Sequence, residues 1–200
     1  MEKFYLEEAS LDRKDDVIDY MNEHVKFDSH IHGTGCFHHI LDGEKYEDLL
    51  QKEISIHDIE SAKKIGYCPG KTFFLIRKDD DKLIGMINIR HHLSDEMLEF
   101  GGHIGYGIRP TERSKGYNKI NLYLGLIKAY EEFNLDKVMI DCSATNIASE
   151  KTIQALGGVF ERSGIDWYDN ELTNVYWIDT KESIDKYKDI YSDYIYKKQK

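Results

Sequence analysis

Residues Gly101 to Asn118, GGHIGYGIRPTERSKGYN, constrain the fold of this chain more than any other stretch. A glycine-rich, alternating strand pattern runs into Pro110, a polar turn follows, and Lys115-Gly116 leads at once into a helical pattern. A strand–turn–helix of this kind leaves backbone N–H groups unpaired at the helix start, where the helix dipole is positive. Phosphate oxygens bind readily at such a point, and Arg113 and Lys115 add two cations. The segment predicts a site for a phosphorylated ligand.

The surrounding patterns predict the frame that holds this turn. Lys3 to Glu8 reads as a short strand, and Asp12, as an N-cap, opens a helix to about Phe27 through Val17, Ile18, Met21 and Val25. A polar, histidine-bearing loop from Asp28 to Gly43 precedes a helical stretch from Glu44 to Ile65, in one or two pieces. Lys71 to Lys78 and Lys82 to His91 flank Asp79-Asp80-Asp81 as a β-hairpin, and Met97 to Arg109 reads as a third long strand. An amphipathic helix from Gly116 to Phe133 follows, with Ile120, Tyr123, Leu124 and Ile127 on one side. Lys137 to Cys142 is a short apolar strand, Asn146 starts a helix that ends at Gly157-Gly158, and Val159 to Ile165 and Asn174 to Asp179 close the sheet. The tail from Lys181 to Lys200 puts Ile184, Tyr187, Tyr191, Tyr194 and Ile195 at helical spacing, so a docked extra helix is expected. Consecutive strands followed by crossover helices predict an α/β (α+β) domain whose mixed sheet is covered on both faces.

Three phosphate-binding signatures compete for the turn. A Walker loop fails because Gly70-Lys71 lacks the first glycine at the required spacing. The dinucleotide fingerprint fails because Pro110 stands where Gly105-Tyr106-Gly107 requires a third glycine. Arg-x-x-Gly-x-Gly/Ala remains, and Arg113-Ser-Lys-Gly116-Tyr-Asn118 matches it except at the last position. With YGIRPTERSKGYNKI before the helix and KVMIDCSATNIASEKTIQALGGVFER after it, the chain resembles the GNAT superfamily of acetyl-CoA-dependent N-acetyltransferases.

That resemblance implies a mixed, mostly antiparallel central sheet with helices on both faces and an extra C-terminal helix. Residues 1–180 would form the acetyltransferase domain and 181–200 a helical extension. It implies acetyl-CoA as cosubstrate, with the amides of Arg113, Ser114, Lys115, Gly116, Tyr117 and Asn118 turned toward the pyrophosphate. The backbone of Ile108, Arg109 and Pro110 would bond the pantetheine arm, with the next strand splayed away so that the thioester lies between the two. Asn146 would bond the same arm while also serving as an N-cap. Two positions depart from the family pattern: Asn118 stands where a small residue is usual, and Ile153 stands where a tyrosine often protonates the leaving thiolate.

Transfer to a primary amine by direct attack also needs a base and a polarised carbonyl. Regular alternation from Met97 to Arg109 puts Glu99, His103, Gly105 and Gly107 on one face, with the two glycines leaving room for the reactants. His103 and Glu99 are the candidate bases; Tyr106, and behind it Tyr176, are candidates for acid or substrate contact, against ordinary core roles for each. Without a catalytic acid at Ile153, a non-catalytic acyl-CoA-binding module is the alternative. A metal-dependent hydrolase using His30, His32, Cys36, His38 and His39 is a further one, though no metal is expected.

Charge and cysteine usage narrow the partners. A net charge of -10 opposes broad nucleic-acid binding and suits a small-molecule or peptide amine. Cys36, Cys68 and Cys142 form no CxxC pair, and the chain shows neither a signal peptide nor a long apolar run. The expectation is a soluble, cytoplasmic protein without membrane partners, for which a homodimer is compatible.

Overall fold

A computed structural model describes residues 1–196. Strands β1 (Phe4–Glu8), β2 (Gly70–Arg77), β3 (Lys82–Arg90) and β4 (Ile104–Ile108) form one antiparallel sheet in that order. Strands β5 (Lys137–Ser143), β6 (Val159–Ile165) and β7 (Leu172–Asp179) form a second, in the order β5-β7-β6. Helices cover both faces. On one, α5 (Tyr117–Phe133), α6 (Ile147–Ala155) and α7 (Thr180–Tyr191) enclose a core that includes Ile87, Ile104, Tyr106, Leu122, Leu126, Ile140 and Ile178. On the other, α1 (Lys14–Lys26), α2 (Tyr46–Ser55) and α3 (Ile59–Lys64) pack Val17, Tyr20, Met21, Leu49 and Ala62 onto Phe74, Ile76 and Met86. Among the described residues no helix is long and apolar enough to cross a membrane.

The alternating burial of β4 follows from its sequence. Ile104, Tyr106 and Ile108 are buried against the α5 side, while Gly105 and Gly107 face the α1 side. Helix α5 begins at once after the turn and ends on Asn134 in a left-handed conformation (φ 54°). Asn146 caps α6 by accepting from the Ser149 N–H at 3.1 Å, as its position predicts.

Several sequence expectations are corrected. The long strand from Met97 to Arg109 breaks into a short helix, α4 (Asp95–Glu99), a glycine turn and the five residues of β4. Ser94 caps α4 through the Met97 N–H, and Gly101 (φ 108°) and Gly102 (φ 58°) take conformations that interrupt any strand. Glu99 therefore leaves the face shared by His103, Gly105 and Gly107. The loop from Asp28 to Gly43 contains a 3-10 helix, Gly35–Asp42, because Cys36 and Phe37 are fully buried anchors. Asp12 does not cap α1: it lies inside a 3-10 turn (Leu11–Arg13), and buried Arg13 holds the junction through Glu7, Asp16 and Asp81. The C-terminal helix ends at Tyr191. A 3-10 turn follows, and Ile195 and Tyr196 lie along β1 at Phe4, while residues 197–200 of the expected extension fall outside the described residues.

Candidate active site

The two sheets meet at one point. The His103 N–H donates to the Met139 carbonyl at 2.8 Å, and the Met139 N–H donates to His103 Nδ1 at 3.0 Å. No ladder joins β4 to β5 beyond it. Backbone alternation then decides what lines the gap. Arg90 with His103 and Ile84 with Arg109 are hydrogen-bonded pairs, so Gly105 and Gly107 also bond to β3. The N–H and C=O groups of Ile104, Tyr106 and Ile108 consequently face the gap. By the same rule, Ala144 with Leu172 and Thr180 with Asp136 bond β5 to β7 through its even residues, which turns the backbone of Asp141 and Ser143 toward the gap. Two strand edges with unspent backbone groups thus diverge from His103, a form that can take an extended, amide-bearing chain between them.

The gap opens onto the turn Pro110–Asn118. Amides from Ser114 through Asn118 have no hydrogen-bond partner among the described residues. Ser114 (φ 63°) and Gly116 (φ 83°) are both left-handed, and a Cβ built on Gly116 would meet nothing within 4 Å. A run of free amides at the start of a 17-residue helix is an arrangement that can accept phosphate oxygens, so these residues fit a diphosphate. The two cations are held beside these amides. Lys115 pairs with Glu112 at 2.7 Å, and Arg113 donates to the gap-facing Ile108 carbonyl at 3.0 Å and to Ser29 Oγ at 2.6 Å. The departure at Asn118 has a visible consequence: its Oδ1 is buried without a partner.

Glu112 anchors the turn from below. Burial alone would raise its pKa, but hydrogen bonds from Lys115, Arg77 and Lys82 override that and hold the carboxyl at about 2. A carboxylate depressed in the fold stabilises it above the unfolded pKa of about 4.3, and that contribution disappears as pH falls toward 2. Replacing Glu112 by Gln is expected to cost on the order of 2–3 kcal/mol at pH 7 and to flatten acid unfolding between about pH 4 and 2, read by urea titration across pH.

The other expected site residues take varied places. Arg109 is a strut: its guanidinium pairs with Asp19 and Glu23 and donates to the Leu83 carbonyl, while its amide bonds to Ile84. Pro110 opens a 3-10 turn, and Tyr117 is half of a hydroxyl–Glu2 contact. Asn146 spends Oδ1 on its cap, with the residue exposed. Glu99 is exposed at the end of α4. The room expected over Gly105 and Gly107 is already filled. A Cβ on Gly107 would meet the His32 carbonyl at 2.8 Å, and one on Gly33 would meet Tyr106 Cα at 2.5 Å, so these glycines let the 32–33 backbone cross the strand.

His103 is not placed as a free base. A backbone N–H can only donate, so Nδ1 must accept from Met139 and the proton of the neutral ring sits on Nε2. Burial and the charge of Arg90 push its pKa down to about 4. Tyr106 spans the gap floor, its hydroxyl 2.8 Å from Ser149 Oγ on α6, and burial drives its pKa far upward. Tyr176 lies behind it, bonded to Glu150 at 2.8 Å and pushed up to about 12 by burial and that carboxylate.

Sequence reasoning missed one acid. Asp141 sits on β5 at the gap, accepts from the Gly101 N–H, and has its pKa raised by burial despite that bond and Arg90. Its signal in the sequence was a lone carboxylate inside the apolar run KVMIDC. Burial, His30 and Arg113 push the His32 pKa down against the opposing charges of Asp141 and of Asp169 from the β6–β7 turn, so two carboxylates lie near enough to act on the 28–34 loop. In that loop His38 bonds the Gly35 carbonyl and His39 bonds Asp42 and Tyr67; among the described residues no group of three or more His, Cys, Asp or Glu could hold a metal ion.

Comparison with known proteins agrees with this fold. A family model described as an acetyltransferase (GNAT) domain matches residues 16–159. No curated protein matches. Among solved structures, the ribosomal-protein-S5-alanine acetyltransferase from Vibrio fischeri superposes with a TM-score of 0.65 at 16% identity, covering 90% of this chain and 94% of that one. A ribosomal L7/L12 alpha-N-protein acetyltransferase in complex with coenzyme A gives 0.63 at 14% identity, with 89% and 96% covered. A spermidine N-acetyltransferase chimera from Vibrio cholerae SpeG and hSSAT gives 0.63 at 14%, with 92% and 99% covered. At these identities the likeness establishes the fold.

Proposed function

We propose that this chain, which belongs to the GNAT acetyltransferase family, transfers an acetyl group from acetyl-CoA to a primary amine by direct attack. The observation that carries this reading is the run of unpartnered amides from Ser114 to Asn118 at the open end of the β4–β5 gap. Those amides would hold the diphosphate, with the helix dipole behind them. The gap-facing backbone of Ile104, Tyr106 and Ile108 would pair with the amides of the pantetheine arm, and Arg113 would exchange its bond to the Ile108 carbonyl for a phosphate contact. Acetyl-CoA supplies the activated acyl group.

The remaining residues divide the proton traffic. The carboxylates of Asp141 and Asp169 would draw in an ammonium acceptor, and Asp141 would take the proton that the attacking nitrogen loses, directly or through one water. A gap-facing N–H such as that of Tyr106 would polarise the thioester carbonyl. As the C–N bond forms and the C–S bond breaks, the Tyr106–Ser149 hydroxyl pair would stabilise the departing sulfur, the service that Ile153, fully buried, cannot give. Residues 1–180 form the catalytic unit on this reading, with 181–200 an addition to it.

The acceptors named for the similar structures are a protein alanine in one case and spermidine in another. For this chain the acceptor would be a small-molecule amine or a peptide N-terminus. Mass spectrometry after incubation with acetyl-CoA and a panel of polyamines, amino acids and basic peptides tests the reading. A mass gain of one acetyl group on any amine supports it. Bound CoA without turnover on every amine would favour a non-catalytic acyl-CoA-binding module.

A further inference from the structure

The β4–β5 gap needs a device at its apex, because two neighbouring strands with unspent edges would otherwise pair along their length. We propose that His103 is that device: a positioning residue whose imidazole substitutes for a backbone carbonyl as the last acceptor of the β4–β5 ladder. Its side chain thereby sets where the strands part and how the donor's arm is seated. The inference rests on the donor reading above, since it concerns the same gap.

Residue 103 makes three hydrogen bonds that point in different directions. Its carbonyl accepts from the Arg90 N–H at 2.7 Å, toward β3, whereas its N–H donates to Met139 at 2.8 Å, toward β5. A regular strand residue sends both groups to the same side. Strands β4 and β5 leave the apex in the same direction, and in such a parallel pair the Met139 N–H would reach the carbonyl two residues before His103; that carbonyl, of Gly101, accepts from the Arg90 side chain, and Nδ1 takes the N–H instead at 3.0 Å. Without the ring, the Met139 N–H would be a buried donor with no partner, for Met139 is fully buried.

The preceding glycines are held in the matching pose. Arg90 donates to the carbonyls of Gly101 and Gly102, both at 2.7 Å, and the Gly101 N–H donates to Asp141. A Cβ on Gly102 would lie 2.5 Å from the Met139 carbonyl oxygen, so the two segments touch at this point, and no hydrogen-bonded ladder continues beyond it. The pKa of His103, depressed by burial and by Arg90, keeps the ring neutral, as an acceptor at Nδ1 requires.

Three substitutions separate this role from catalysis. Asn places an acceptor oxygen close to the position of Nδ1, Gln places one farther out near Nε2, and Leu has none. His103→Asn is expected to hold the acetyl-CoA dissociation constant within about threefold, while His103→Gln and His103→Leu weaken it about tenfold or more, the worth of one buried hydrogen bond. KM for acetyl-CoA follows the same order and kcat at saturation stays within about threefold. Equal losses in the Asn and Leu variants, or a collapse of kcat in all three with KM unchanged, overturns the proposal. Nitrogen-15 NMR of the wild-type imidazole tests the role without any ligand: a neutral ring protonated at Nε2 supports it, and a ring protonated at Nδ1 refutes it. Failure of the wild-type protein to bind CoA would strike the donor reading instead, and the tautomer would still decide the part played by His103 at the apex.

Discussion

Replacing Gly116 by valine is expected to weaken acetyl-CoA binding about 100- to 1,000-fold. The residue sits at φ 83°, a conformation that a β-branched side chain avoids, and it lies within the run of free amides. Valine would pull the backbone toward ordinary helical or extended angles and turn the amides of Gly116 and Tyr117 away from the ligand. Two charge-assisted hydrogen bonds lost at about 1.5–2 kcal/mol each, the low end of their usual strength, account for the predicted range. Open space in front of the residue means that no clash with the rest of the protein adds to the effect. Gly116→Asn provides the control, because asparagine tolerates left-handed angles, and it should retain most of the affinity. Calorimetric titration with CoA reads both. Unchanged affinity in the valine variant would remove the turn from the donor site.

The second large effect is expected at Asp141. Substitution by asparagine keeps an oxygen for the Gly101 N–H and removes only the charge and the basicity. If Asp141 takes the amine proton, kcat falls about 100- to 1,000-fold with little change in KM for acetyl-CoA. The pH profile should change with it. Burial raises the carboxyl pKa, so wild-type activity declines as pH drops through that elevated range, and the limb disappears in the variant. Stability moves the other way. A carboxyl that holds its proton more tightly in the fold than in the unfolded chain loses stability as pH rises through the folded pKa. The asparagine variant therefore should be as stable as wild type, or more so, at pH 8. A parallel loss of stability and activity would mark Asp141 as a structural residue.

How much of this could be read from the sequence depended on the range of the interaction. The hairpin β2–β3, helix α5 and the Asn146 cap follow from alternation, 3.6-residue spacing and one capping side chain, all local. Met97 to Arg109 misled because Met97, Glu99 and the later residues alternate like a strand, whereas Ser94 capping and two left-handed glycines win locally. The 28–43 loop looked solvated since its histidines and glycines outnumber Cys36 and Phe37, yet those two anchor it in the core. At the site, the run of free amides was legible because a turn and the helix after it are adjacent in sequence. The apex was not. His103 and Met139 are 36 positions apart, and nothing in either segment announces a ring acting as the acceptor of a backbone N–H. Asp141 was passed over for a related reason: its elevated pKa comes from burial between two segments, not from its neighbours in the chain.

The most direct test of the donor site is a crystal structure of the protein with acetyl-CoA. The diphosphate oxygens should lie within about 2.7–3.2 Å of the Ser114 to Asn118 amides, and the pantetheine arm should run along the Tyr106 and Ile108 edge with the thioester between β4 and β5. A ligand seated elsewhere, or an Arg113 that keeps its bond to the Ile108 carbonyl at saturating ligand, would contradict it.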